Sequence, residues 1–466
     1  MAKKSVSTQA KITKIDVTRE KVSGRGGIFF FLRYVENIIF YPLFEKYFNF
    51  LRVSAKGLPI YQFIKQLLAH FIDGTDMSMS SFDRRKGDES YAAVLENVPE
   101  QMASSHQMKR VFSKLAYIGN RVYRSLLHQL FIWRLKIEKP AIIILFLDTM
   151  ILDNDDADKR EGVEPTYKKK KGFQPFHISW GPYLVDVIFR NGSAHSNHGC
   201  DVIKSVAKIT RLIRKKYSDV PIILLSDSGF LDDANFRYFE ERLKIHYICA
   251  GKQYADLKQY AQQIPSQQYK TLVKGKQSWQ YVEFGNRLKS WPKFRRCIFT
   301  TLETEEDGQL NLEFAKTDSF IYTNLGTDKV LTEKLTRAGG QHYLTPEGII
   351  ELNHQRGKGE LVHRSIKEFA TKEQLPFERF GMNRAYYYFL VISHFLYEAF
   401  KRDVLDDVIP VTCYPNTFRR RIIDFAAKIV ATGGHIILKV TETVVEQLQL
   451  KLLWHRVKIP VPITVT

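Results

Sequence analysis

Two short apolar runs constrain this chain more than anything else in it. Ala141–Leu147 and Pro221–Leu225 are continuous stretches of apolar residues, long enough for a strand and too short for a buried helix. Runs of this kind become strands at the centre of a sheet, covered on both faces. The first is followed directly by Asp148, and the second runs through Ser226 into Asp227. An α/β sheet commonly exposes its functional groups at such strand ends. Between the two runs, Phe176–Trp180 and Tyr183–Arg190 read as strands joined by Gly181-Pro182, and Val202–Lys216 as an amphipathic helix. Strand, hairpin, helix, strand predicts a mixed α/β core.

The flanking regions have a different texture. Apolar residues at three- and four-residue spacing predict helices over Ile28–Phe48, Pro59–Phe71, Ser90–Leu95, Gln107–Leu115 and Tyr117–Leu135. Ser104–Lys114 pairs a small polar cap with a basic helix carrying Lys109 and Arg110, which is either a DNA-reading helix or an ordinary helix with a solvated face. Residues 251–326 are rich in Gln, Lys, Thr and aromatics, with strands expected at Tyr281–Phe284, Arg296–Glu303, Leu310–Phe314 and Phe320–Thr323. Thr345-Pro346-Glu347 then opens a helix with a Thr cap and a proline in the first turn. Helices follow to about Thr432, and Ile436–Val440 and Val457–Val465 carry no clear pattern. The resulting division is 1–135, 136–250, 251–326, 327–432 and 433–466.

Charge narrows the function. The 466 residues hold 70 Lys and Arg against 50 Asp and Glu, a net +20, within an otherwise ordinary globular composition of 44% apolar and 26% charged residues. Such an excess repels itself unless a polyanion neutralises it, so nucleic acid is the expected partner. Ile28–Phe44 is interrupted by Arg33 and Glu36, and no other stretch approaches the roughly 20 apolar residues that a membrane span needs. No secretory signal is expected, and the four dispersed cysteines (Cys200, Cys249, Cys297, Cys413) fit a reducing interior. Asp153, Asn154, Asp155 and Glu164 lack the ligand and glycine pattern of a calcium loop. Lys168–Lys171 is either a phosphate-binding patch or a solvated loop, and Trp279 and Trp291 are either core residues or stacking platforms.

A third acid joins the two aspartates. At about 100° per residue, Asn353, Arg356, Glu360 and Lys367 fall within roughly 60° of one another around a helix. A carboxylate flanked by two cations and an amide suits phosphodiester chemistry. Carboxylates hold two Mg²⁺ ions about 4 Å apart, and Arg and Lys grip phosphates. The plainer reading is a helix salt bridge between Arg356 and Glu360.

Asp148-Thr149, Ser226-Asp227-Ser228-Gly229-Phe230 and the Glu360 helix resemble the DDE transposases of bacterial insertion sequences. The closer likeness is to the cut-and-paste group whose third motif is Y-(2)-R-(3)-E-(6)-K, which Arg356, Glu360 and Lys367 match in type and spacing. Gly172–Pro175, Arg190–His195 and Asn383–Tyr386 add matching text, and the likeness spans roughly residues 75–430. Asn353 stands where the family has Tyr, and Gly357 and Gly359 interrupt the motif helix. They either permit close approach to DNA or mark where a helix starts afresh. The resemblance implies an RNase H-like catalytic core interrupted by a β-rich insertion, with an all-helical N-terminal DNA-binding region and a helical C-terminal region. It implies that Asp148, Asp227 and Glu360 hold two Mg²⁺ ions, with Mn²⁺ as a substitute, and that Arg356, Lys367 and Asn353 contact DNA. Lys109, Arg110 and Trp279 are the further expected DNA contacts. The implied partners are double-stranded DNA, as terminal inverted repeats and target, and a second copy of the chain in a homodimer. The implied location is the bacterial cytoplasm, at the nucleoid. A catalytically silent DNA-binding relative and a simple two-metal nuclease are the alternatives.

Overall fold

The computed structural model describes residues 12, 14–51, 57–304 and 317–464. Its centre is a nine-stranded mixed sheet. Strands β1 (Ile143–Thr149), β2 (Phe176–Trp180), β3 (Tyr183–Ile188), β4 (Ile222–Ser226) and β5 (His246–Ala250) lie in the order 3-2-1-4-5. β2 and β3 form the expected hairpin, antiparallel to β1, whereas β4 and β5 run parallel to β1. The apolar runs are strands because both faces are covered: every residue of β4 is buried. β1 extends through Thr149, so Asp148 lies inside the strand rather than just past its end.

The β-rich stretch does not stand apart from this sheet. β6 (Lys270–Lys274), β7 (Gln277–Asn286), β8 (Arg295–Thr304) and β9 (Asp318–Thr323) form an antiparallel meander, and β9 pairs with β5. The strand expected at Leu310–Phe314 falls outside the described residues. Trp291 packs in the core against Phe236 and Tyr322.

Helices supply most of the remainder, but two small three-stranded sheets lie outside the centre. One of them pairs Lys21–Ser23, in the region expected to be all helical, with Ala427–Ile429, where helices were expected to continue. The helices are labelled α1 (Ile28–Asn37), α2 (Ile60–Asp73), α3 (Ser105–Leu115), α4 (Asn120–Glu138), α5 (Asp201–Lys216), α6 (Pro346–Gln355), α7 (Gly357–Ala370), α8 (Phe380–Val404) and α9 (Leu450–Lys458). The 25-residue α8 is buried along most of its length; Tyr388 stacks on Tyr123 of α4, and Phe389 meets Phe112 of α3. Arg124 and Arg134 of α4 turn inward to Asp186 and Asp403. The expected single helix over Ile28–Phe48 is two, broken at Ile39, which adopts a left-handed φ of 64°. Pro42 has no N–H to give the carbonyl four residues back, at Ile38. That carbonyl instead accepts the Ile463 amide at 2.8 Å. The tail without clear pattern thus packs on α1 through Leu453, Val457 and Ile463 of one continuous buried cluster. Before α9 the chain forms a hairpin, Ala427–Thr432 with His435–Lys439, turning at Gly433-Gly434 with φ of 56° and 76°. That mirror-image turn favours glycine.

One buried arginine ties the helical half together. Arg419 donates from Nε to the Ile72 carbonyl (3.1 Å) and from Nη2 to Phe71 (2.8 Å), at the end of α2. It also donates to Glu368 (3.1 Å) and Phe369 (2.7 Å), at the end of α7. The last carbonyls of a helix have no partner within it, and a cation there meets the negative end of the dipole. Gly74, with φ of +63°, leaves the space: a Cβ there would lie 2.1 Å from Arg419 Cζ. Arg419→Lys should therefore lose most of the four bonds and cost about 2–4 kcal/mol. Urea unfolding checks this, and a loss under 1 kcal/mol would show that α2 and α7 are held by apolar contact alone.

Candidate active site

β1 and β4 are adjacent and parallel, with Leu147 opposite Ser226. The next residue on each strand is an aspartate, so Asp148 and Asp227 emerge from the same end of the sheet on strands about 5 Å apart. Asp148 Oδ1 accepts the Thr149 amide at 2.7 Å, and Asp227 Oδ1 accepts the Gly229 amide at 2.9 Å. Gly229 has no room for a side chain: a Cβ would stand 2.8 Å from Ser196 Oγ and 3.0 Å from Asp227 Oδ1. Ser196 Oγ lies 3.4 Å from Thr149 Oγ1, so the loop after β3 forms a wall beside the two acids.

These carboxylates are under electrostatic stress. Burial pushes Asp148 up to about 6; the Thr149 amide and Arg356 oppose that rise, and Glu360 adds to it. Asp227 is raised by burial and then by the Asp148 charge, against the Gly229 amide and Arg356. Asp148 thus lies within electrostatic reach of both Asp227 and Glu360, with Arg356 acting on both aspartates. Two neighbouring carboxylates form a hard oxygen donor set whose repulsion a divalent cation relieves, so this pair fits such an ion. Among the described residues no three His, Cys, Asp or Glu side chains are close enough to hold one together. Asp148, Asp227 and Glu360 are therefore not gathered into one three-carboxylate set.

The motif helix is two helices. α6 starts at the Thr345 cap, as expected, and ends at Gln355; α7 begins at Gly357, with Arg356 at the joint. A Cβ at Gly357 or Gly359 would meet nothing within 4 Å, so the restart lies against open space. Glu360 is exposed in the first turn of α7, where the helix dipole favours a carboxylate. Lys367 is held 2.8 Å from Glu373, which also accepts the Asp153 amide, so this cation already has a protein partner. On the side of the meander, the Trp279 ring packs against His354 at 4.5 Å. Asn353 Oδ1, Arg356 Nε and Trp279 Nε1 are buried with no hydrogen-bond partner. Lys109 and Arg110 are exposed on α3, whose opposite face (Met108, Phe112, Leu115) is buried.

Several residues at the site escaped the sequence. His363 Nδ1 stands 3.6 Å from Asp148 Oδ2. Its spacing of three from Glu360 places both on one face of α7, a signal the helix arithmetic contained. Tyr167 lies near both aspartates, and its hydroxyl is raised by burial and then by their charges. Lys168, which also acts on Asp148, sits over the Tyr167 ring at 5.9 Å. The last two lysines of that basic run are engaged by the acidic loop: Lys170 pairs with Asp153 (2.5 Å) and Lys171 with Asp158 (2.8 Å).

The site is thus a pair of carboxylates at the centre of a mixed sheet, with an arginine beside them. The family described as transposase DDE domain group 1 matches residues 5–459, and the chain belongs to it. No curated protein matches the chain. Among solved structures, a piggyBac transposase synaptic complex with hairpin DNA is similar at 11% identity and a TM-score of 0.40, covering 94% of this chain and 83% of that one.

The strained aspartate has a measurable consequence. A carboxyl raised to about 6 in the folded chain, against 3.8 as the ordinary value, binds more protons folded than unfolded between those pH values. Its ionisation therefore costs stability as pH rises through 4–6, and the cost is complete above 6. Asp148→Asn should raise the melting temperature of the metal-free protein at pH 7.5, by about 1–3 kcal/mol equivalent, with the gain vanishing near pH 4. A variant equally or less stable at pH 7.5 would show that the carboxylate is not destabilising.

Proposed function

We propose that this protein binds the ends of a mobile DNA element, cleaves the phosphodiester backbone there and joins the freed 3′-OH ends to target DNA. The observation that carries the reading is the emergence of Asp148 and Asp227 from adjacent parallel strands, with Glu360 and Arg356 in electrostatic reach. The strand order 3-2-1-4-5, with one antiparallel hairpin, supports an RNase H-like core. In that reading residues 136–250 and 327–432 make the core, 251–326 the insertion grown from its edge, 1–135 the region that engages DNA and 433–466 a C-terminal tail.

Asp148 and Asp227 would hold the divalent cations, two Mg²⁺ with Mn²⁺ as substitute, and Glu360 would complete the set. Bound there, such ions supply charge neutralisation for the attacking and leaving oxygens of the phosphate. Arg356, whose charge acts on both aspartates, would grip a phosphate of the scissile strand. Asn353 and Trp279 would contact DNA only once their unpartnered Oδ1 and Nε1, which are buried, are uncovered. The Lys367–Glu373 pair favours a supporting part for Lys367 over a direct phosphate contact. Two element ends must be cut and joined together, which fits a homodimer.

Asp148→Ala, Asp227→Ala and Glu360→Ala should each abolish Mg²⁺-dependent cleavage of DNA carrying the element's ends, while DNA affinity changes less than about threefold, since removing a ligand disables metal-assisted attack. Detection of strand-transfer product separates a transposase from a simple nuclease, and wild-type protein that binds ends without cutting them would favour the silent relative. Near-normal cleavage by any one variant removes that residue from the site.

Binding has its own test. Lys109→Ala with Arg110→Ala should weaken binding to element ends and reduce the slope of log affinity against log salt by about 2, the release of two counterions. An unchanged slope would leave α3 with no part in phosphate contact.

A further inference from the structure

Behind Asp148 lies a line of polar groups that connects four elements. Across the antiparallel pair, Asp148 sits opposite His177 of β2. His363, reaching down from α7, stands between them: its Nδ1 is 3.6 Å from Asp148 Oδ2, and its Nε2 is 3.0 Å from His177 Nδ1. His177 Nε2 is in turn 2.8 Å from the hydroxyl of Tyr387 on α8, and the two rings lie within 9° of parallel. His177 and Tyr387 are fully buried.

The direction of this line follows from counting hydrogens. A contact of 3.0 Å between two ring nitrogens holds one hydrogen, so one nitrogen donates and the other accepts. An ionised carboxylate only accepts. With Asp148 at one end, His363 carries its hydrogen on Nδ1 and leaves Nε2 to accept from His177 Nδ1. His177 Nε2 then accepts from the Tyr387 hydroxyl. Three hydrogens fill three contacts. The reverse order would face a bare His363 nitrogen toward a carboxylate oxygen and leave the Tyr387 hydrogen without an acceptor in the line. Burial supports the neutral forms this requires at the far end of the line: it holds His177 well below its ordinary value and keeps Tyr387 protonated.

We propose that Tyr387, His177 and His363 are positioning residues, a directed hydrogen-bond line that aims one N–H at Asp148 and fixes the carboxylate's orientation as a cation ligand. The proposal rests on the reading of Asp148 as a ligand. At 3.6 Å the last contact is longer than a hydrogen bond, so the His363 N–H steers Asp148 through its dipole. Groups that orient ligands in this way commonly change metal affinity 10–100-fold when removed.

The test is Mn²⁺ binding to the full chain, followed by the electron paramagnetic resonance signal of free Mn²⁺, with melting temperature measured on each preparation. His363→Ala should weaken Mn²⁺ binding about 10–100-fold. His363→Asn, whose amide can present an N–H in place of Nδ1, should recover most of the loss, and Tyr387→Phe should show a smaller one. Should His363→Ala fail to fold, His363→Asn and Tyr387→Phe carry the comparison. Asp148→Asn is the control on the underlying reading: if it binds Mn²⁺ normally, Asp148 is not a ligand and that reading fails. If Asp148→Asn loses binding while His363→Ala and Tyr387→Phe keep it, the positioning line alone is overturned. A lowered melting temperature with unchanged Mn²⁺ affinity overturns it equally, because that is the mark of a purely structural role.

Discussion

Everything at the centre of this molecule depends on the register between β1 and β4. With Leu147 opposite Ser226, two aspartates separated by 79 positions (227 − 148) become neighbours at one end of the sheet. A slip of one residue would turn one carboxylate to the opposite face, because side chains alternate along a strand. Register here is enforced by burial: β4 is covered on both faces, and the alternating positions of β1 pack into two separate clusters. The hairpin of β2 and β3 fixes the other edge of β1, and through it the place of His177.

That arrangement is maintained against its own electrostatics. Asp148 and Asp227 repel, both are pushed toward protonation, and the cation nearest to the pair, Arg356, sits at a joint between helices rather than inside one. A stable fold chosen for stability alone would place apolar or paired groups there. Instead the surrounding structure supplies the support: the walls of the sheet, the Ser196 loop and the grip of Arg419 on the far end of α7.

What could be read from the sequence followed physical strength of signal. The buried strands, the hairpin and the Thr345 cap were legible because apolar continuity and capping are local. The nearness of Asp148 and Asp227 to the ends of central strands was legible because each adjoins a continuous apolar run. The break at Ile39 was also available in principle, through Pro42, but the apolar periodicity continues across it and hides it. Other features depend on pairing between distant segments and leave no local trace. The union of the β-rich stretch with the central sheet is one, since a strand's neighbours are not written in its own residues. The opposition of Asp148 and His177 is another, and so is the packing of the tail against α1. The single helical face assigned to Asn353, Arg356, Glu360 and Lys367 is split instead: Asn353 lies on one helix, Glu360 and Lys367 on the next, with Arg356 at the joint, and Lys367 spends its charge on Glu373.

The Arg419 contacts have a consequence in time as well as in space. A ribosome makes Asp148 and Asp227 long before it makes the arginine that anchors α7, which follows Asp227 by 192 positions (419 − 227). At roughly 5–20 residues per second, that interval is about 10–40 s. During it the nascent chain owns both aspartates, and later Glu360, yet lacks the side chain that closes the end of the Glu360 helix. Completion of the site is thus deferred until the polypeptide is nearly finished, and a chain that stalls or is clipped before residue 419 carries the acids of the site without their anchorage.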